Sequence, residues 1–330
     1  MTARSPHVWV LLGERRGDNN QLLGLAEALG VPFETRTMVY GWWWWVILTL
    51  FPRQPFLLAG PARRRLNPPW PDLVIGIGRR SVAVSRWIKR QSGGRTKIVR
   101  LGNPRKDSRL FDLVITTPQY PVPRKGNVLA LPFSISRNSK SPRPTADEAR
   151  WLASLPRPHL LACLGGPTRY WKLPESEVSR AAQAISRKVR ETGGTFIVAT
   201  SQRTPASILD VIDRSSACRA VLADGRIRFP VLLADADEHY VTADSVSMIS
   251  ETLLTGRPVG LIPVELDAEG RRALRTVGPS RSKRDIRRFW SELEAKGLRG
   301  TVDSPVSGNI EDPIDTAAEA VKRLLTDRVE

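Results

Sequence analysis

Three polar segments in the second half of the chain carry the residue types that grip a phosphorylated ligand. They are Gly165-Gly166-Pro167-Thr168, Thr200-Ser201-Gln202-Arg203-Thr204, and Thr242-Ala243-Asp244-Ser245-Val246-Ser247, the last leading to Glu251. Each follows an apolar run of strand character. Glycines let backbone amides approach a phosphate closely, hydroxyls donate to its oxygens, and an arginine offsets its charge. That combination suits a nucleotide diphosphate, with Gly165, Gly166, Thr168, Thr200, Ser201, Arg203, Asp244, Ser245 and Ser247 as contacts. Glu251 lies one to two turns into a helix starting near Ser245, where it can face the same crevice and accept hydrogen bonds from ribose hydroxyls. The plainer alternatives are a strand-ending turn for the glycine pair and a solvated helix face for Glu251.

The first half offers a different set. Residues 1–140 contain seven acids, of which only Glu14 and Asp18 sit on a loop that follows a strand. General-base catalysis needs a carboxylate or histidine held where it can take the proton of a reacting hydroxyl. Asp18 is the candidate base, with Glu14 beside it; alternatively, Asp18 caps a helix beginning near Asn20. Arg15, Arg16, Arg79, Arg80 and Arg105, accompanied by Asn19, Ser81 and Asn103, form either a phosphate clamp for an acceptor or a solvated basic rim.

The elements that must position these loops alternate regularly. VWVLLGERRGDNNQLLGLAEALG, from Val8, is an apolar run, a polar turn, then Leu22, Leu25, Ala26 and Leu29 at helical spacing. The pattern returns at Leu73–Ile77 with a helix after Gly78, at Lys97–Leu101, and in DLVITTP from Asp112. Residues 134–158 are rich in Ser, Pro and Arg, with one short helix expected over 145–155. The second half repeats the scheme with strands within 159–166, 194–205, 220–222, 236–245 and 257–264. Its helices are expected over 175–192, 205–214 and 246–255, and amphipathic helices over 282–296 and 313–326 close the chain. The prediction is an α/β fold of two Rossmann-like, doubly wound domains facing a cleft. Residues 1–140 form a basic, membrane-facing domain, 141–158 a linker, and 159–330 a nucleotide-binding domain, with the last helix packing back on the first. In such sheets ligands sit beyond the carboxyl ends of the strands.

Composition narrows the function. With 330 residues, 41% hydrophobic and 25% charged, the chain is globular and long enough for two cores. Two cysteines and three scattered histidines supply neither a disulfide framework nor a metal cage, so no metal is expected, and a reducing, cytoplasmic compartment fits. The net charge of +18 is uneven: residues 1–140 hold 23 basic and 7 acidic side chains, and the remainder 28 and 26. The first half therefore faces an anionic partner. Nucleic acid is not the expected one, because neither an aromatic–basic platform nor a helix-turn-helix cue is present.

The uncharged stretch from Gly41 to Phe51 is too short to span a bilayer and begins too far in for a signal peptide. It contains Trp42, Trp43, Trp44 and Trp45, which cannot all face one core because neighbouring residues point in different directions. Tryptophan favours the headgroup level of a membrane, and Arg53, Arg63, Arg64 and Arg65 follow closely. The expectation is a surface that rests on an anionic membrane, through Trp42–Trp45 and Phe51; the alternative is an inter-domain plug or an oligomer contact.

ADADEHYVTADSVSMISETLLTGRPVGLIPV resembles the donor-binding segment of GT-B glycosyltransferases, with Glu251 at the ribose-binding acid and Ser245–Ser247 at the phosphate turn. GERRGDNNQ, GIGRRS, LGNPR, GGPTRYW, TSQRTP and VTADSVSMISE, in that order, resemble the bacterial relatives of the plant "elongated mitochondria" mitochondrial fission proteins. The resemblance implies a GT-B-like fold. In the family, the plant protein is regarded as a recruitment factor for a dynamin-like fission GTPase, and bacterial members carry an epimerase label. A dinucleotide-dependent epimerase is not expected, since Arg80-Ser81 stand where close-packing residues belong and no acid follows GIGRRS at ribose-binding distance. The sequence departs from the glycosyltransferase pattern at ERRGDNN, which lacks a glycine-rich stretch, and at Asp244, where many such enzymes have Ser. The functional expectation is a peripheral glycosyltransferase on the inner face of the cytoplasmic membrane. It needs no cofactor: it takes a UDP-linked or similarly activated sugar as donor substrate and a lipid-linked or cell-envelope acceptor. The alternative is a non-catalytic membrane adaptor on the same scaffold.

Overall fold

The computed structural model describes residues 4–39, 63–104, 107–137, 142–216, 221–222, 225–275 and 284–326. In chain order the first elements are β1 (Val8–Leu12), α1 (Arg16–Ala28), β2 (Phe33–Thr37), β3 (Leu73–Ile77), α2 (Gly78–Gln91), β4 (Lys97–Leu101), β5 (Leu113–Thr116) and β6 (Val128–Ala130). Next come α3 (Ala146–Ala153), β7 (His159–Leu164), β8 (Trp171–Lys172), α4 (Glu175–Thr192), β9 (Thr195–Thr200), α5 (Ala206–Ser215) and β10 (Val221–Leu222). The last are α6 (Phe229–Asp235), β11 (Glu238–Thr242), α7 (Val246–Leu253), β12 (Val259–Ile262), β13 (Glu265–Leu266), α8 (Ala268–Arg275), α9 (Arg287–Ala295) and α10 (Pro313–Thr326). Two units result: unit 1 holds residues 1–137, 282–284 and 312–330, and unit 2 holds 138–281 and 285–311. Residues 142–158, read from sequence as linker, belong to unit 2, where the Thr145–Glu148 capping box opens α3 and the Glu148 carboxylate bonds Arg228.

Unit 1 is a six-stranded parallel sheet of order β2-β1-β3-β4-β5-β6. β1 reads VWVLL and is covered on both sides, so alternation serves two cores. Val8 and Val10 meet Leu22, Leu25 and Ala26 of α1 and Ile314, Ala317, Ala318 and Val321 of α10. Trp9 and Leu11 meet Met38, Leu66, Val84 and Ile88, with Trp70 and Trp87 packed against them. The edge strand β2, FETRT, has no fully buried residue, which is why its sequence carries no strand signal. Helix α1 starts at Arg16 rather than near Asn20. Asn19 closes the preceding loop by exchanging two 2.9 Å bonds with the backbone of Gly13, which turns the polar run into the first helical turn. Asp18 therefore lies inside that turn, and no side chain caps α1.

Unit 2 is a five-stranded parallel sheet of order β10-β9-β7-β11-β12. All of β7, HLLACL, is buried, and α4 contributes Val178, Ala181, Ala182, Ile185 and Val189 at helical spacing. The edge strand β12 is extended by bridges from Val259 to Val306 and from Leu261 to Thr301. In both sheets the strand order reverses beside the first strand, between β1 and β3 and between β7 and β11. Loops diverge at such points and leave a crevice at the carboxyl ends of the strands.

Candidate functional site

In unit 2 the predicted loops meet at the β7/β11 reversal. The Gly165 amide donates to Thr242 Oγ1 at 2.7 Å, and Thr242 Oγ1 donates to Asp244 Oδ1 at 2.7 Å. Asp244, 3% exposed, pairs with Arg203 at 2.8 Å and accepts a long bond from the Gly166 amide at 3.4 Å. The glycine pair has a clear cause: a Cβ on Gly165 would overlap the Asp244 carboxylate, and one on Gly166 would overlap the Arg203 carbonyl. Arg203 Nη1 donates to the Gly166 carbonyl at 2.6 Å. Arg203 thus stays on the loop where the sequence puts it, paired to an internal carboxylate with its side chain 42% exposed.

Thr204, beyond the predicted contacts, is the hub of the second loop. Its hydroxyl donates toward the Leu164 and Gly165 carbonyls at 2.8 and 2.7 Å and accepts from the Ser201 amide at 2.9 Å. Ser201 Oγ lies 3.1 Å from it and accepts from the Arg203 amide. Ser245 caps α7, accepting from the Met248 amide at 3.4 Å, so its lone pair is engaged while its proton can still be donated. Glu251 is half-buried on α7; burial, and secondarily the charge of Glu251, raises the pKa of the Cys163 thiol on β7. Thr200 ends β9, and the Thr168 amide donates to the Trp171 carbonyl, so both remain on the loops where the sequence puts them. His159, at the other end of β7, holds Asp235 at 2.6 Å, away from these loops.

In unit 1 a pocket of about 690 Å³ opens at the β1/β3 reversal, lined by Glu14, Arg15, Asp18, Arg79, Arg80, Ser81 and Asn103 among the predicted residues. Burial raises the Asp18 carboxyl's pKa, against the opposing pull of Arg15, Arg284 and Arg100. Glu14 is an exposed ion-pair partner of Arg80 at 2.6 Å, so Asp18 is the carboxyl of this pair better suited to proton transfer. Ser81 is a structural hydroxyl: it donates to the Ile77 carbonyl, accepts from Arg100, and fits because Gly76 has no Cβ to crowd it. Gly78 starts α2 at φ +75°, a conformation glycine adopts without strain. The GxG spacing thus serves packing and helix entry. Asn19 closes its own loop as described, and the Asn103 carbonyl accepts from Arg100.

Sequence reasoning missed Arg100, Thr116, Gln119 and Arg284. Arg100 is 2% exposed inside β4, and its Nη1 donates to the Gly78 carbonyl at 2.8 Å and Ser81 Oγ at 2.7 Å. Arg284 Nε donates to Gln119 Oε1. An arginine within the apolar run KIVRL is the signal that would have revealed it, because such a charge is buried only with partners. Trp42, Trp43, Trp44, Trp45, Phe51 and Arg105 lie outside the described residues, as does the side chain of Arg16. Among the described residues no helix is long and apolar enough to cross a membrane.

Two parallel Rossmann-type sheets with loops opening at their order reversals define a GT-B-like α/β fold. Solved structures agree: a UDP-N-acetylglucosamine 2-epimerase from Listeria monocytogenes, itself described as putative, matches with TM-score 0.54 and 12% identity, over 99% of this chain and 97% of that one. The Neisseria meningitidis UDP-GlcNAc 2-epimerase, solved bound to UDP-GlcNAc, matches with TM-score 0.53 and 12% identity over 98% and 100%. At that identity the likeness is one of fold. The chain belongs to the mitochondrial fission ELM1 family, whose model matches residues 16–326. The Arabidopsis thaliana mitochondrial fission protein ELM1 is 26% identical over 298 residues, which cover 80% of this chain and 65%, less than two thirds, of the plant protein.

Proposed function

We propose that the chain transfers a sugar from a UDP-linked donor to a lipid-linked or cell-envelope acceptor, as a peripheral protein on the inner face of the cytoplasmic membrane. The observation that carries the reading is the β7/β11 reversal of unit 2, where Gly165, Gly166, Arg203, Asp244 and the Ser245-capped start of α7 converge. The Neisseria neighbour's UDP-GlcNAc supports the ligand class. Glu251 receives the ribose hydroxyls. The unit 1 pocket receives the acceptor, and Asp18 takes its hydroxyl proton as the oxygen bonds to the anomeric carbon and UDP leaves with the electrons of the broken bond. Membrane seating is supported by Trp42–Trp45 and Phe51 in the sequence and by the exposed Val39, Arg63, Arg64 and Arg65 that flank this stretch.

The test is a thermal-shift titration of the full chain with nucleoside diphosphates. A ligand at about 100 times its Kd adds about 2.7 kcal/mol of stability. UDP is expected to stabilise wild type, with the shift reduced in Glu251→Ala and Ser245→Ala. No stabilisation by any common nucleoside diphosphate near millimolar concentration would overturn the donor reading. The internal Asp244–Arg203 pair favours a second reading, a non-catalytic adaptor on the same scaffold. It predicts that Glu251→Ala and Asp18→Ala leave cellular function intact while the tryptophan run stays essential.

A further inference from the structure

We infer that the pocket of unit 1 is a binding site for a phosphoryl or diphosphoryl group, held at the N-termini of α1 and α2 by Arg15, Arg79 and the Thr116 hydroxyl. The inference deepens the acceptor role proposed above and rests on that reading only for what the phosphate is attached to. α1 and α2 both begin at the β1/β3 reversal, and neither has a side-chain cap. The first-turn amides of a helix point outward along its axis and attract anions, all the more where two helices open on one pocket.

Charge and hydrogen bonding complete the site. Four arginines line the pocket, Arg15, Arg79, Arg80 and Arg100, against two acids, Glu14 and Asp18. Glu14 is paired with Arg80, whereas the exposed Arg15 and Arg79 form no ion pair among the described residues. Arg100 is fixed from beneath, bonded to the Gly78 carbonyl at the first residue of α2, so the cation is in place before any ligand arrives. The independent sign of a ligand is Thr116. It lies in the pocket wall, is 4% exposed, and its Oγ1 has no hydrogen-bond partner. A buried hydroxyl left unpaired is costly, and a phosphate oxygen supplies the acceptor it lacks.

The experiment is calorimetric titration of the full chain with inorganic pyrophosphate, with and without saturating UDP. Wild type is expected to bind pyrophosphate in both conditions. Arg15→Ala/Arg79→Ala is expected to weaken that binding at least tenfold, because two charge-assisted contacts are lost, and Thr116→Val to weaken it several-fold. Both arginines are exposed, and unchanged ligand-free thermal midpoints verify folding. Pyrophosphate binding that is absent, or unaltered by the double substitution, would overturn the site. A short-chain prenyl diphosphate in neutral detergent micelles identifies the source. Tighter binding than pyrophosphate, lost in the double variant, assigns a lipid headgroup; equal binding, also lost in the variant, assigns a soluble phosphate. Failure of UDP to stabilise the chain while pyrophosphate still depends on Arg15 and Arg79 would remove the donor reading and leave this site standing.

Discussion

Replacing Asp244 with Asn should move stability and ligand affinity in opposite directions. The carboxylate is 3% exposed, faces Arg203 at 2.8 Å and accepts from Thr242 Oγ1 at 2.7 Å. Asn keeps its volume and an acceptor for Thr242 but removes the charge opposite Arg203. Breaking a fully buried pair costs about 3–5 kcal/mol, but the Arg203 side chain is 42% exposed and water takes up much of its charge, so about 1–2 kcal/mol is expected. For a diphosphate in the proposed donor site, the same carboxylate is a repulsive charge. At about 6 Å and an effective dielectric near 20, one unit charge on the ligand is repelled by about 3 kcal/mol before screening. UDP should therefore bind Asp244→Asn at least about tenfold more tightly than wild type while urea denaturation shows the lower stability. If affinity falls together with stability, Asp244 is orienting Arg203 for the ligand, and the view of it as an internal competitor is wrong.

Three further outcomes follow from particular contacts. Burial lowers the His239 pKa from 6.5 to about 4, so the fold resists a proton that the unfolded chain accepts. Stability is fully retained above pH 6.5 and falls as pH drops toward 4, by about 3 kcal/mol at pH 4. Urea titrations of wild type and His239→Gln at pH 7 and pH 4 measure it; an identical acid loss in both proteins would refute it. Gly165→Ala should cost about 2 kcal/mol through overlap with the Asp244 carboxylate, and markedly less in an Asp244→Ala background, which a double-mutant cycle by urea melts would read. Serine at Trp42–Trp45 should abolish co-sedimentation with vesicles of anionic phospholipid, and unchanged pelleting would remove the proposed membrane seat.

The strands were legible wherever a run is covered on both faces. VWVLL, LVIGI and HLLACL are apolar or nearly so along their length, and the structure places them in the two sheets. β2 and β6 were not, because edge strands need no such run: FETRT is half solvent-facing, and VLA is too short to announce itself. Site loops follow from strand ends, so Gly165, Gly166, Arg203 and Ser245 could be placed from sequence. What fills the glycine cradle could not, since Asp244 and Thr242 reach Gly166 and Gly165 only through pairing of β7 with β11, 78 and 77 residues apart. The free hydroxyl of Thr116 had no signal, because a threonine closing the strand LVIT reads as an ordinary β-branched core residue.

The uneven charge of the two halves acquires a local meaning at these reversals. In unit 2 the arginine beside the glycine loop is neutralised within the fold by Asp244, so the seat presents little net charge to an incoming anion. In unit 1 Arg15 and Arg79 form no close ion pair among the described residues, and with four arginines against Glu14 and Asp18 the lining stays net positive. Salt screens exposed charges over about 8–10 Å near physiological ionic strength, whereas an ion pair compensated inside the fold changes little. Raising ionic strength from about 50 to 300 mM should therefore weaken pyrophosphate binding at unit 1 more steeply than UDP binding at unit 2. Parallel calorimetric titrations across that range compare the two slopes. Equal slopes would mean that Arg15 and Arg79 are as compensated as Arg203, and that the basic first half serves the solvent-facing surface alone.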